Sequence, residues 1–149
     1  RRPGFAGMLA GTASLLALPL LLGAQEPNSP PSDIEERISD TVENLYVRGL
    51  QTRDFGLIRD ACIPRALMMG VAASGKLGVT PLDQWSERFD PENTPFQRLD
   101  HEIVKIDRVG SAAQVKIDFL IDGVRPVTDY LNSLELEGEW RIVNIIDHG

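Results

Sequence analysis

The sequence predicts an α+β domain in which N-terminal helices cover one face of a curved antiparallel sheet. Two observations carry this. Apolar residues recur at three- and four-residue intervals from Ile34 to Leu50, the spacing of one helical face. From Gln97 onward the period drops to two, and the alternating runs are joined by short glycine-bearing turns. Helices followed by consecutive hairpin-linked strands describe a sheet with its helices on one face.

Taken in order, the chain opens on Arg1-Arg2, followed by an apolar and small-residue run from Leu9 to Leu22 and then Leu22-Gly23-Ala24 before the polar Gln25. A positive start, an apolar stretch too short to span a bilayer with ease, and a small residue at the break predict an export signal over residues 1–24, cleaved after Ala24. A retained membrane anchor is the competing reading, disfavoured by Ala24 at the break and the lack of a basic flank after the run. A periplasmic or secreted protein, free of the membrane after cleavage, follows from the export signal. Residues 25–32 are rich in proline and serine and read as a flexible linker. Residues 33–149 then form one domain, large enough for a core of its own.

Asp33 is the expected N-cap of the first helix, with Glu36 completing a capping box, and Thr52 its expected end. Asp54 opens a second helix through Phe55, Leu57, Ile58 and Ala61, which Pro64 terminates. Ala66–Ala73 and Lys76–Val79, around Ser74-Gly75, predict a hairpin. Thr80-Pro81-Leu82-Asp83 reads as a third helix start, with Leu82, Trp85 and Phe89 on one face and Pro91 as the stop. Four strands follow: Ile103–Val109, Ala112–Ile121, Val124–Leu136 and Trp140–Ile146. In the second of these, Ala113, Val115, Ile117 and Phe119 alternate with Gln114, Lys116 and Asp118, so one face is buried and one wet.

Composition excludes several functions. With Arg1 and Arg2 removed, 22 acidic residues face 13 basic ones, a net charge near −9. No basic cluster stands against that surface, so neither nucleic acid nor anionic lipid is an expected partner. Cys62 is the only cysteine, lies in an apolar setting, and forms no intramolecular disulfide. One cysteine and two distant histidines, His101 and His148, do not make a structural zinc site, and no metal or cofactor is expected.

Several stretches together resemble the nuclear transport factor 2-like superfamily, and most closely its bacterial putative lumazine-binding family. They are Glu43-Asn44-Leu45-Tyr46, the hairpin Asp107–Ala113, Thr128-Asp129-Tyr130-Leu131, and the terminal run Leu136–Asn144. The resemblance implies a cone-shaped fold, a strongly bent sheet wrapped around the N-terminal helices, with a pocket at the open end and dimers formed through the sheet. Relatives include polyketide cyclases and ketosteroid isomerases, so the fold alone does not fix the chemistry.

The resemblance also implies that Tyr46 points toward the cone interior, as the oxyanion-donating tyrosine of the isomerases does. Its hydroxyl then meets a ligand carbonyl or, in a plain core role, a backbone carbonyl. The isomerases carry a carboxylate base just after the second helix, but this chain has no Asp or Glu between Asp60 and Asp83. No catalytic residue is therefore assigned. Strict alternation along the last strand sets Trp140, Ile142, Asn144, Ile146 and His148 on one face and Arg141, Val143, Ile145 and Asp147 on the other. Tyr46, Trp85, Tyr130, Asn132 and Asn144 are the candidate ligand-binding residues. The expected protein binds a small organic molecule in a mainly apolar pocket and pairs as a homodimer through the convex sheet face, with Val143 and Ile145 in the contact. A cyclase- or isomerase-like enzyme, marked by a titratable group of displaced pKa within reach of Tyr46, and an interaction module with a filled pocket are the alternatives.

Overall fold

The computed structural model describes residues 32–90, 92 and 95–149. The expected export signal, nearly all of the linker, and Pro91 lie outside the described residues. Helix α1 (Asp33–Asp40) continues through a π-helical stretch (Thr41–Val47) into α2 (Arg48–Thr52). Ser32, not Asp33, is its N-cap: the Ser32 hydroxyl accepts from the Glu35 amide while the Glu35 carboxylate accepts from the Ser32 amide. The capping box is therefore one residue earlier than expected, the register slip open to a run of small polar and acidic residues. Residues Ile34, Ile38, Val42, Tyr46 and Leu50 are spaced by four. In a regular α-helix such a series drifts by about 40° per step, and the wider i→i+5 turn over Thr41–Val47 offsets part of that drift.

Helix α3 (Phe55–Ala61) is capped by Asp54, whose side chain accepts from the Gly56 amide, as expected. It runs directly into β1 (Cys62–Val71), which forms the predicted hairpin with β2 (Leu77–Pro81). Pro64 lies in a bulged part of β1, between Cys62 and Leu67, where the strand leaves its ladder and a missing N–H does no harm. Pro81 occupies the N-cap position of the short α4 (Leu82–Trp85) without a side-chain hydrogen bond, and a 3-10 turn (Ser86–Phe89) completes the segment. Leu82, Trp85 and Phe89 are all buried.

Strands β3 (Leu99–Val109), β4 (Ala112–Ile121), β5 (Arg125–Leu136) and β6 (Glu139–His148) form the meander. Its β4–β5 and β5–β6 turns set Asp122-Gly123 and Glu137-Gly138 at positive φ, the first in a three-residue connection (Asp122–Val124) and the second a two-residue hairpin loop. The six strands lie in the order β2-β1-β6-β5-β4-β3. Neighbours are antiparallel apart from β1 and β6, which run parallel because α3 feeds β1 into the sheet beside the last strand. Register shifts at Cys62/Leu67, Ile103/Lys105 and Asn132/Ser133 bend the sheet, since each extra residue increases local twist. The core fills the side that the helices cover: Ile38, Val42, Tyr46 and Ile58 meet Val115, Ile117, Leu131, Ile142 and Ile145.

Candidate functional site

Tyr46 is fully buried, and its hydroxyl meets a side-chain carboxylate rather than a backbone carbonyl. It donates to Asp129 Oδ2 on β5 at 2.8 Å. Its ring packs between Trp85 and Phe119, with centroids 6.3 and 6.5 Å away. Val127, Asp129, Leu131 and Ser133 share the inward parity of β5, so a carboxylate stands between two apolar residues in that row. Across the ladder Asp129 stands directly opposite Asp147 of β6, which in turn stands opposite Gly70 of β1. A Cβ on Gly70 would come within 2.6 Å of Asp147 Oδ1, so the glycine leaves the room that this second carboxylate occupies.

These groups line a cavity of about 210 Å³. Leu50, Met68, Trp85, Phe96, Leu99, Phe119, Ile121 and Val127 supply apolar wall, and Tyr46, Asp129, Asp147 and the exposed Arg125 supply polar atoms. Burial drives the Asp129 carboxyl up to about 6, the Tyr46 hydrogen bond pulls against this, and the Asp147 charge adds to it. Tyr46 is held well above the ordinary phenol value, first by burial and then by the Asp129 charge. Cys62 is pushed up to about 12 by burial, against the pull of Arg141, and is a poor nucleophile.

A larger hollow, about 460 Å³, lies between the first helix and the β5–β6 turn, lined in part by Arg37, Asp40, Asp60, Glu139, Trp140 and Arg141. Its arginines are already engaged. Arg37 pairs with Glu135 at 3.0 Å and reaches the Gly138 carbonyl, while Arg141 reaches Glu139 and the Asp60 carbonyl. Trp140 is buried there, and its indole N–H has no partner among the described residues. The smaller cavity is the better candidate, because apolar walls converge on two carboxylates, one of them strongly perturbed. Among the described residues no group of three or more His, Cys, Asp or Glu is placed to hold a metal ion.

Of the five residues singled out in the sequence, Tyr46 and Trp85 line this cavity. Tyr130, Asn132 and Asn144 are on the opposite face of the sheet. Asn132 donates to Asn144 at 2.6 Å and accepts from Gln114 at 2.9 Å, an amide ladder across three strands. Asn144 is displaced by a bulge. Asn132 pairs with Asn144 but Ser133 pairs with Ile142, so Val143 is an extra residue and the alternation of β6 inverts there. Trp140 and Ile142 face the core before the bulge, and Ile145 and Asp147 face inward after it. Ile145 is thus a core residue rather than a sheet-face contact. The two residues that sequence reasoning missed are Asp129 and Asp147; for Asp129 the inward parity of Val127 and Leu131 was the available signal.

The chain matches the family model described as putative lumazine-binding over residues 33–146. Its fold is shared with an NTF2-like protein of unknown function from Shewanella baltica OS155, at 28% identity and a TM-score of 0.69, over 80% of this chain and 97% of that one. An NTF2-like protein of unknown function from Methylobacillus flagellatus KT is 22% identical, with a TM-score of 0.68 over 80% and 94% of the two chains. A putative ketosteroid isomerase from Shewanella frigidimarina NCIMB 400 is similar in fold alone, at 12% identity and a TM-score of 0.58 over 75% and 94%. No curated protein matches the chain. By its match over nearly the whole described domain, the chain belongs to the putative lumazine-binding family of the nuclear transport factor 2-like superfamily.

Proposed function

We propose that this is an exported domain that binds a small organic molecule in the cavity between Trp85, Phe119 and the Asp129–Asp147 pair. The observation that carries it is the buried Asp129 carboxyl, raised to about 6. A carboxylate kept at such a cost inside a core has a use there, because an apolar or amide residue in its place would fold more stably. The apolar walls supply affinity and the carboxylates orientation. Native mass spectrometry of protein from its own host, beside the Trp85→Ala variant, tests the reading. A co-purified small molecule lost from the variant supports it; a molecule retained equally by both contradicts it. The same spectra test export, since the mature mass should lack residues 1–24.

An enzyme of the isomerase or cyclase type is the second reading, and one specific observation favours it. A titratable group of displaced pKa lies 2.8 Å from Tyr46. Near neutral pH such a carboxylate is ionised yet basic enough to take a proton from carbon next to a carbonyl, with Tyr46 orienting it. Deuterium uptake into a small cyclic ketone, catalysed by the wild type and lost in Asp129→Asn, is the expected mark. Uptake unchanged in that variant contradicts it.

A homodimer through the sheet belongs to the same proposal. Val79, Met69, Ile146 and Tyr130 stand opposite one another in a single cross-strand row on the face turned from the helices. Val79, Ile146 and Tyr130 are 47%, 43% and 36% exposed. A second copy covering this row would bury side chains worth roughly 1.5–3 kcal/mol each when fully covered. The contact is then centred on Ile146, not on Ile145.

A further inference from the structure

We propose that the ligand of this cavity is an organic cation, a protonated amine on a small ring or short hydrocarbon, held with its ammonium between Asp129 and Asp147. This rests on the reading that the cavity binds a small molecule, and goes on to name the charge of that molecule. Three features of geometry support it. The carboxylates face each other in register on adjacent strands, and Gly70 on the third strand clears the volume into which Asp147 projects. Aromatic rings of Tyr46, Trp85, Phe96 and Phe119 line the same cavity, and ring faces attract cations in desolvated sites. The phenol O–H is already committed to Asp129, so what Tyr46 has left to offer a ligand is an acceptor oxygen.

The charge balance points the same way. Arg125 is the one cationic side chain among the residues lining the cavity, and it is exposed at the start of β5. Two acids facing each other across a partly desolvated cavity repel when both are ionised, and an ammonium between them turns that repulsion into two attractions. An anionic ligand would add a third negative charge. A neutral one would leave the repulsion in place.

The pH dependence follows from the groups that face Asp129. These are Tyr46 from the helix, Asp147 from β6 and Arg125 at the mouth, with the Cys62 thiol acting on Tyr46; β4 presents Phe119 and β3 presents Leu99. Asp129, raised to about 6, ionises between about pH 5 and 8. Affinity for a cation therefore rises across that range.

Benzylamine, benzyl alcohol and benzoate are matched in size, differ in charge, and keep that charge through this range. Calorimetric titration of the full chain with each, at about pH 5 and pH 8, decides the matter. Benzylamine is expected to bind at least about tenfold more tightly than benzyl alcohol at the higher pH, and less tightly at the lower. Asp147→Asn should remove most of that preference and Asp129→Asn its pH dependence; both keep side-chain volume, and near-ultraviolet circular dichroism checks that both fold. Equal binding of amine and alcohol overturns the cation while leaving a ligand-binding cavity. Tighter binding of benzoate reverses the sign. Amine binding that survives the double Asn variant belongs to the acidic surface and also overturns the proposal. If none of the three binds, the cavity reading beneath it fails as well.

Discussion

Tyr46 donates its hydroxyl to Asp129 Oδ2 at 2.8 Å across 83 residues of sequence, tying the first helix to the centre of the sheet. The bond joins a buried phenol to a buried carboxyl: Asp129 helps to hold the phenol protonated, while the phenol's hydrogen bond favours the ionised carboxylate against the cost of its burial. The bond anchors the helix and keeps a carboxylate in the cavity wall.

Tyr46→Phe removes the hydroxyl and leaves the ring volume unchanged. A charged carboxylate then loses a hydrogen bond, so stability should fall by about 1.5–3 kcal/mol at pH above the Asp129 midpoint. Below that midpoint the carboxyl is neutral and the loss should shrink to about 0.5–1.5 kcal/mol. Urea denaturation at about pH 4 and pH 8 measures both. An equal loss at the two values would mean that the hydroxyl does not serve the charge.

Asp129→Asn keeps an acceptor for Tyr46 and removes the charge. The folded-state pKa is raised from 3.8 to about 6, so the wild type has its full stability below the unfolded value and loses it as pH rises through the folded one. The whole loss is about 3 kcal/mol, from about 1.4 kcal/mol per pKa unit. The variant should therefore be about 1–3 kcal/mol more stable than wild type near pH 8, with little difference near pH 3.5. A variant less stable at pH 8 would show that the charge is compensated in the fold.

The elements were legible where one local rule decided them. The Asp54 cap, the β1–β2 hairpin, the glycine turns and the Ala113–Phe119 alternation all depend on neighbours in sequence. The site was legible only in part, because its placement depends on strand phase carried past an irregularity. A bulge at Val143 inverts β6, which sends Asn144 to the outer face and brings Asp147 inward. Alternation counted from Trp140 has no means of registering that extra residue. Asp129 failed for a different reason: a carboxylate in an apolar parity row ranks low as a core residue until its partner is known, and that partner is on the first helix.

Ile146→Glu sets a charge in the middle of the apolar row on the outer face, beside Met69 and Tyr130. The side chain is 43% exposed, so the monomer should tolerate the change within about 1 kcal/mol. Sedimentation at micromolar concentration should find a dimer in the wild type and a monomer in the variant. A wild type that remains monomeric at every concentration would remove the sheet-face contact.

The most direct test of the binding site uses the two tryptophans of the chain as separate reporters. Trp85 lines the cavity beside Asp129, and Trp140 lines the larger hollow by the β5–β6 turn. Trp140→Phe leaves only the first indole, and Trp85→Phe only the second. Benzylamine titrated into each should give a saturable change of emission in Trp140→Phe and none in Trp85→Phe. A saturable change that follows Trp140 would place the ligand in the other hollow and contradict the assignment of the cavity.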